Sequence, residues 1–445
     1  MPSILVIGHG AREHVIAETL ARSESRPDLY AFMKSNNPGI ASHCVETRLG
    51  DYGDLEDVVG YARGKGVDFA FVGPEYPLER GVVDALADAG IPAVGPVKSL
   101  ARLETSKIFT RRLLDKYGIP GNPAFRVFTS LDGVEEFIRE LPRGAVIKPD
   151  GLTGGKGVMV QGDHFDSAAE ALAVCRAILE RHSSVLVEER LEGEEFSLQC
   201  FCDGVTVAAT PAVQDHKRRF VGDRGPNTGG MGSYSFPDHG LPFLRPDDLT
   251  QALEITKKVA DALYRETGLR YKGIMYGGFI AVADGIRLLE YNARLGDPEA
   301  MNVLPLLKTD FVDLCRAVID GALADMDVEF ERKATVCKYV VPKGYGLPAD
   351  HPDASSLGAK IHVGEVGDVK IYYSSVDLRE DGLYMTSSRA LGVVGIDEDI
   401  AAAERKAEKA IEAIGGPVDH RPDIGTEDLI RKRVEHMKKE RGSNL

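Results

Sequence analysis

Positive charge is in deficit in this chain: 54 Lys and Arg stand against 69 Asp and Glu over 445 residues, a net charge of −15. Broad binding to a nucleic-acid backbone draws on excess cation, so that class of partner is excluded, and any phosphate held here belongs in a local pocket. Long apolar runs are missing as well. No stretch reaches the roughly 18 uncharged apolar residues of a membrane span, and Met1-Pro2-Ser3 ahead of Ile4 to Ile7 carries no charged leader. Neither a secretory signal nor a membrane partner is expected, and the cytoplasm is the expected compartment. Cysteine is sparse: Cys44, Cys175, Cys200, Cys202, Cys315 and Cys337 form no Cys-x-x-Cys pair and have no histidine at zinc spacing, so reduced, mostly buried thiols are expected. Internal repeats and low-complexity tracts are absent too. What remains, 43% hydrophobic and 28% charged with 48 Gly and 23 Pro, is ordinary globular composition at a length of roughly three domains.

The first hundred residues alternate apolar runs with helical patterns: Ile4 to Ile7, a helix from about Arg12 to Arg22, Leu29 to Met33, Asp68 to Val72, a helix over Gly81 to Ala89, then Pro92 to Val94. That alternation predicts a parallel sheet with helices on both faces, whose strand ends bind ligands. A helix over Ser99 to Tyr117, closed by Gly118 and Pro120, connects it to the next unit. Strands at Phe125 to Phe128, Ala145 to Lys148, Val158 to Gln161 and Val185 to Glu189 flank two helices in a compact α+β module. A larger α+β stretch follows, with a helix from Asp248 to Thr267 and a hairpin signalled by Asp284-Gly285 between two apolar runs. From about Thr335 the chain is strand-rich and includes a helix near Asp399 to Ile414; the Lys-rich tail after Arg431 reads as a solvated terminal helix.

Several motifs carry chemistry. Gly8-His9-Gly10-Ala11-Arg12-Glu13-His14 follows the first strand and opens a helix, where loop amides can hold a phosphate. Glu13 replaces the third glycine of a dinucleotide fingerprint, so a monophosphate held with Arg12 fits better than a pyrophosphate. Gly73-Pro74-Glu75 ends another strand of the same module, where Glu75 can accept hydrogen bonds from sugar hydroxyls. Lys148 ends a strand before the glycine-rich loop Gly151 to Gly157; no Gly-Lys-Ser/Thr follows, so this is no Walker A loop but a flap over nucleotide phosphates, with Lys148 as a point charge. The strand from Val185 exits into Glu188, Glu189, Leu191 and Glu195, a hinge for an adenine edge and a ribose. Glu290, Asn292 and Arg294 alternate on one strand face: two hard oxygen donors beside a cation that can neutralise a transferring phosphoryl group. The glycine-punctuated polar stretch from Gln214 to Gly232 has the density of His, Lys, Arg and Asn of an active-site loop.

Together these motifs resemble those of the phosphoribosylamine-glycine ligase family, the glycinamide ribonucleotide synthetases of purine biosynthesis within the ATP-grasp superfamily. The resemblance runs collinearly from residue 4 to about 320; Gln-Asp-His-Lys-Arg at 214 to 218, Gly-Pro-Asn-Thr-Gly-Gly-Met-Gly at 225 to 232 and Glu-x-Asn-x-Arg-x-Gly-Asp-Pro-Glu at 290 to 299 separate it from sister ligases. It implies an α/β and α+β multidomain fold: an N-terminal parallel α/β substrate-binding domain over 1–101, an ATP-grasp domain over 102–324 with its lid subdomain at about 123–191, and a small strand-rich α+β domain over 325–445. It implies a ligase that phosphorylates the glycine carboxylate with ATP and lets 5-phosphoribosylamine attack the glycyl phosphate, with Mg2+ or Mn2+ as cofactor. By position, Glu290 and Asn292 would be the metal ligands. Lys107, Lys148, Gly154, Gly155, Lys156, Gly157, Glu188, Leu191 and Glu195 would form the ATP pocket. Gly8, Gly10, Arg12 and Glu75 would take phosphoribosylamine, and Arg294, Asp297 and Asp215 would orient glycine and its acyl phosphate. The implied partners are these small molecules, with hand-over of unstable phosphoribosylamine from the preceding pathway enzyme. Against the rivals, Glu13 disfavours a dinucleotide-dependent oxidoreductase, and retention of Lys148, Glu290, Asn292 and Arg294 together disfavours a non-catalytic nucleotide-binding regulator.

Overall fold

The computed structural model describes residues 1–152 and 157–442. Five strands, β1 (Ser3–Ile7), β2 (Asp28–Met33), β3 (Glu46–Leu49), β4 (Phe69–Val72) and β5 (Ala93–Val94), form an all-parallel sheet in the order β3-β2-β1-β4-β5. Ile4 to Ile7 and Phe69 to Val72 are buried, as strands covered on both faces must be, which is why they read as unbroken apolar runs. The edge strand β3, Glu46-Thr47-Arg48-Leu49, is mostly exposed and has no such run, so the sequence pattern does not reveal it. Strand order reverses between β1 and β4, and the loops after both open into one crevice.

The connecting helix expected over 99–117 is two helices, Lys98–Thr105 and Lys107–Lys116. Ser106 between them is extended, and its hydroxyl accepts from the Phe109 amide at 3.1 Å, capping the second helix. Four antiparallel strands follow, β6 (Phe125–Phe128), β7 (Ala145–Pro149), β8 (Met159–Val160) and β9 (Val185–Glu189), in the order β6-β9-β7-β8. With helices Val134–Glu140 and Ala168–Leu179 they enclose a separate core that includes Phe137, Ile147, Ala171 and Val187.

A second antiparallel sheet, β10 (Glu194–Cys202), β11 (Val207–Ala209), β16 (Gly273–Val282) and β17 (Gly285–Asn292), runs in the order β11-β10-β16-β17. The expected hairpin is present one residue earlier, with Val282 opposite Gly285 and Ala283-Asp284 as its turn. Leu289 is an extra residue in β17, since Leu288 faces Phe279 and Glu290 faces Gly278. Between β11 and β16 in sequence lie β12 (Gln214–Asp215), a hairpin of β13 (Arg218–Phe220) and β14 (Arg224–Asn227), and β15 (Gly232–Ser235). β12 and β15 join β18 (Ala334–Pro342), β20 (Lys370–Tyr373) and β23 (Leu391–Asp397) in a sheet ordered β12-β15-β18-β23-β20. The smaller strands β19 (Lys360–Val363), β21 (Val376–Arg379) and β22 (Gly382–Met385) pack beside it.

The terminal helix, Glu427–Arg441, is not merely solvated as its lysines suggest. Leu429, Ile430 and Met437 are buried, and Arg441, with no exposed side-chain surface, donates to Asp248 Oδ2 at 2.6 Å and to the carbonyls of Val282 and Gly285. Among the described residues no helix is long and apolar enough to cross a membrane.

Candidate active site

The loops after β1 and β4 meet over one side chain. A Cβ on Gly8 would lie 2.2 Å from Glu13 Cγ, and one on Gly73 would lie 2.3 Å from Glu13 Oε1, so both glycines make room for the Glu13 carboxylate. That carboxylate folds back to accept from the Gly10 amide at 2.6 Å and from Arg12 Nε at 2.6 Å. The Gly10 N–H expected to face a phosphate is therefore engaged within the chain. Arg12, buried, also donates to the Leu295 carbonyl at 3.1 Å and turns Nη2 toward Glu75, 3.8 Å away.

Glu75 begins the helix Glu75–Arg80 and faces Arg294 Nε at 3.4 Å. Burial pushes its carboxyl up, but Arg294 and Arg12 outweigh burial and hold it at about 2. Arg294 lies two residues beyond β17. It donates to Asn292 Oδ1 at 3.1 Å and pairs with Glu104 at 3.1 Å, and Glu104 accepts the Ala293 amide at 2.8 Å. One guanidinium thus joins the crevice of the parallel sheet to the face of β17. The alternation expected there holds: Tyr291 and Ala293 are buried behind, while Glu290, Asn292 and Arg294 are partly exposed. Burial pushes Glu290 up, but Lys217, Lys148, Lys107 and Arg294 outweigh it and keep the carboxylate ionised. Glu290 and Asn292 are hard oxygen donors facing a cation-lined cleft, a donor set that suits a divalent ion shared with phosphate oxygens.

Lys148, the penultimate residue of β7, lies 2.6 Å from Glu188 of β9, which is buried and gripped from its other side by Arg111 at 2.5 Å. Burial raises the Glu188 carboxyl, yet Arg111 and Lys148 together bring it to about 2. Arg111 also donates to the carbonyls of Leu288 and Leu289 at 2.9 and 2.7 Å, so the bulge in β17 is tied through Arg111 to β9. Both Glu188 oxygens are thus engaged by cations within the chain. Lys107 donates to the Gly151 carbonyl at 2.8 Å, and Asp150 accepts from Ser106 Oγ at 2.9 Å, anchoring the start of the glycine-rich loop. Gly154, Gly155 and Lys156 lie outside the described residues; Gly157 and Leu191 are partly buried, and Glu195 is exposed on β10.

Opposite them, Lys217 sits 3.6 Å from Glu195 and 3.9 Å from Glu290, and Glu195 above all raises its pKa. Asp215 accepts from the His216 amide, and burial and Glu299 push its carboxyl well up. Glu299 itself accepts from Tyr276 Oη at 2.7 Å. Asp297 is held from the C-terminal part of the chain: Tyr339 of β18 donates to it, and Arg389, just before β23, lies 3.1 Å away. Arg389 further donates to the carbonyls of Gly229, Gly230 and Asp297. Sequence reasoning missed Glu104, Arg111, Tyr339 and Arg389 because their places depend on contacts across sheets; Lys217 stood inside the polar stretch and Glu299 at the end of the motif already noted.

Three family models cover most of the chain: the phosphoribosylglycinamide synthetase N domain over residues 2–104, its ATP-grasp (A) domain over 105–300 and its C domain over 335–427. A phosphoribosylamine–glycine ligase of Methanosarcina barkeri is 50% identical over 439 residues, 99% of this chain and 100% of the relative, and one of Methanococcoides burtonii is 50% identical over 435. The crystal structure of the Thermotoga maritima phosphoribosylamine–glycine ligase matches with TM-score 0.77 at 28% identity, covering 95% of this chain and 99% of that one. The biotin carboxylase domain of the Hydrogenobacter thermophilus 2-oxoglutarate carboxylase, solved with magnesium ADP, shares the fold at TM-score 0.69 and 14% identity, covering 98% and 93%.

Proposed function

The chain belongs to the phosphoribosylglycinamide synthetase family and is an ATP-dependent ligase of purine biosynthesis that joins glycine to 5-phosphoribosylamine, and we propose how its cleft divides the work. Lys107, Lys148 and the glycine-rich loop to Gly157 hold the ATP phosphates, with Leu191 and Glu195 at the nucleoside. Glu290 and Asn292 would hold a divalent ion, magnesium or manganese, which when bound neutralises charge on the transferring phosphoryl group. Asp215, Lys217 and Asp297 orient glycine so that its carboxylate takes the phosphoryl group. Glu75 receives the ribose hydroxyls and Arg12 the phosphate side of phosphoribosylamine, whose amine then attacks the glycyl carbonyl and displaces phosphate. Arg294, between Glu75 and Asn292, stabilises charge on the acyl phosphate. No side chain acts as a covalent nucleophile; the contribution is positioning and charge neutralisation in a cleft that excludes water.

The observation that carries this division is Arg294, which touches both the Glu75 crevice and the Asn292 face and so puts the two half-reactions within one side chain's reach. The test is ADP release by purified protein with ATP and magnesium, given glycine alone, phosphoribosylamine alone, or both. Release with both only, matched by glycinamide ribonucleotide, is expected. Release with phosphoribosylamine and a different acid would assign the acyl pocket to another substrate.

A further inference from the structure

The stretch from Gln214 to Gly232 carries Asp215 and Lys217 at its front, but it is polar and glycine-rich and has little apolar surface to anchor it. Its back is held by charge from the end of the chain. Arg421, fully buried, donates to the Arg218 carbonyl at 3.1 Å and to Asp223 Oδ1 at 2.8 Å, while Asp423 takes its Nε and its other Nη at 2.9 and 2.7 Å. Asp423 also accepts the Gly222 amide at 3.0 Å. Arg433, on the terminal helix, donates to the second Asp223 oxygen. Arg219, 1% exposed, reaches Asp419 at 2.8 Å and the Tyr345 carbonyl at 2.9 Å.

Asp223 is the hub, and its backbone shows how firmly it is held: its φ of +55° lies in the left-handed region that a residue with a side chain seldom adopts. Its carboxylate also faces His216 Nδ1 at 3.6 Å. His216 lies between Asp215 and Lys217 and is 2% exposed, with its backbone bonded to Gly232 and Met231. A displacement of Asp223 therefore reaches both cleft residues through the one between them.

We propose that residues 419–433 are a brace that positions Asp215 and Lys217 through Asp223 and His216, so that the C-terminal segment sets the geometry of the glycine-activating loop. Arg421, Arg433 and Asp223 are positioning residues; none touches substrate. The proposal rests on the reading of Asp215 and Lys217 given above.

The test compares full-length Arg433→Ala, Arg433→Lys and Asp223→Asn with the parent chain. Arg433→Ala is expected to raise KM for glycine about tenfold, the scale of one charge-assisted hydrogen bond, and to lower kcat, while ADP affinity stays within about twofold. Amides of residues 216–228 should exchange hydrogen faster with the rest of the chain unchanged, and Arg433→Lys should recover most of both effects. Unaltered glycine kinetics together with unaltered exchange in Arg433→Ala would overturn the brace, as would parallel losses of glycine and ADP affinity. Lys217→Ala separates the two readings: full activity in that variant removes the role given to the loop, whereas the exchange result reports on the brace alone. Should Asp223→Asn fail to fold, Arg433→Ala, at a side chain 21% exposed on the terminal helix, still decides the matter.

Discussion

At the scale of single residues, the same chemical group behaves differently according to who faces it. Glu75 and Glu188 are both held at about 2 against burial, one by two arginines at the mouth of a crevice and the other by Arg111 and Lys148 in the interior. Glu75 stays open to a ligand on one side. Glu75→Gln is expected to raise KM for phosphoribosylamine about tenfold, the value of a hydrogen bond to a charged acceptor, with ADP affinity unchanged in a titration. Glu188 serves stability. Its folded carboxyl lies below its ordinary value of 4.5, so its stabilisation is fully present above that pH and fades as pH falls toward about 2. Urea midpoints measured from pH 5 down to 2.5 should therefore converge between the parent and Glu188→Gln, while near neutrality Glu188→Ala costs about 3–5 kcal/mol because two buried cations lose their partner. Alternation alone made Glu290, Asn292 and Arg294 legible, since a strand shows every second residue to the cleft. It could not reveal that Glu13, at the sixth position of the glycine motif, fills the loop that was expected to hold a phosphate; that depends on Gly8 and Gly73 coming together from separate strands.

At the scale of elements, apolar runs located β1, β4, β9 and the β16–β17 hairpin, because buried strands leave a continuous hydrophobic trace. Polar elements left none: β3 is an exposed edge, and the helix break at Ser106 comes from a hydroxyl that prefers a cap to a helix interior. The terminal helix misled for a related reason. Its lysines describe its outer face, while Arg441 works on the inner one, bridging Asp248 to two carbonyls at the turn of the hairpin. Arg441→Ala should lower stability by about 2–4 kcal/mol, since the buried Asp248 carboxylate loses its guanidinium and keeps the Arg245 amide. A shift of the urea midpoint with unchanged slope would register it, and an unshifted midpoint would mean the helix contributes nothing to the sheet it covers.

At the scale of the whole molecule, the chain does not come apart where its composition changes. β12 and β15 precede position 325 and β18 follows it, yet they are neighbours in one sheet, with Tyr234 opposite Val336 and Ser233 opposite Cys337. Asp297 is likewise held by Tyr339 and Arg389 from beyond that position. A fragment ending at residue 324 would expose the buried edge of β15 that pairs with β18 and should not fold as a soluble unit; a soluble fragment with native circular dichroism would refute this. By itself the sequence determined the parallel N-terminal sheet, the ligase family and the face bearing Glu290, Asn292 and Arg294, because periodicity and motif spacing are properties of neighbouring residues. Only the tertiary structure decided that Glu188 belongs to an internal ion pair, that Glu13 occupies the glycine loop, and that the C-terminal segment grips Asp297 and the loop of Asp215. Apart from the local bonds of Glu13 to Gly10 and Arg12, those are contacts between residues from tens to hundreds of positions apart, and the low-dielectric interior that makes them strong exists only once the sheets have closed around them.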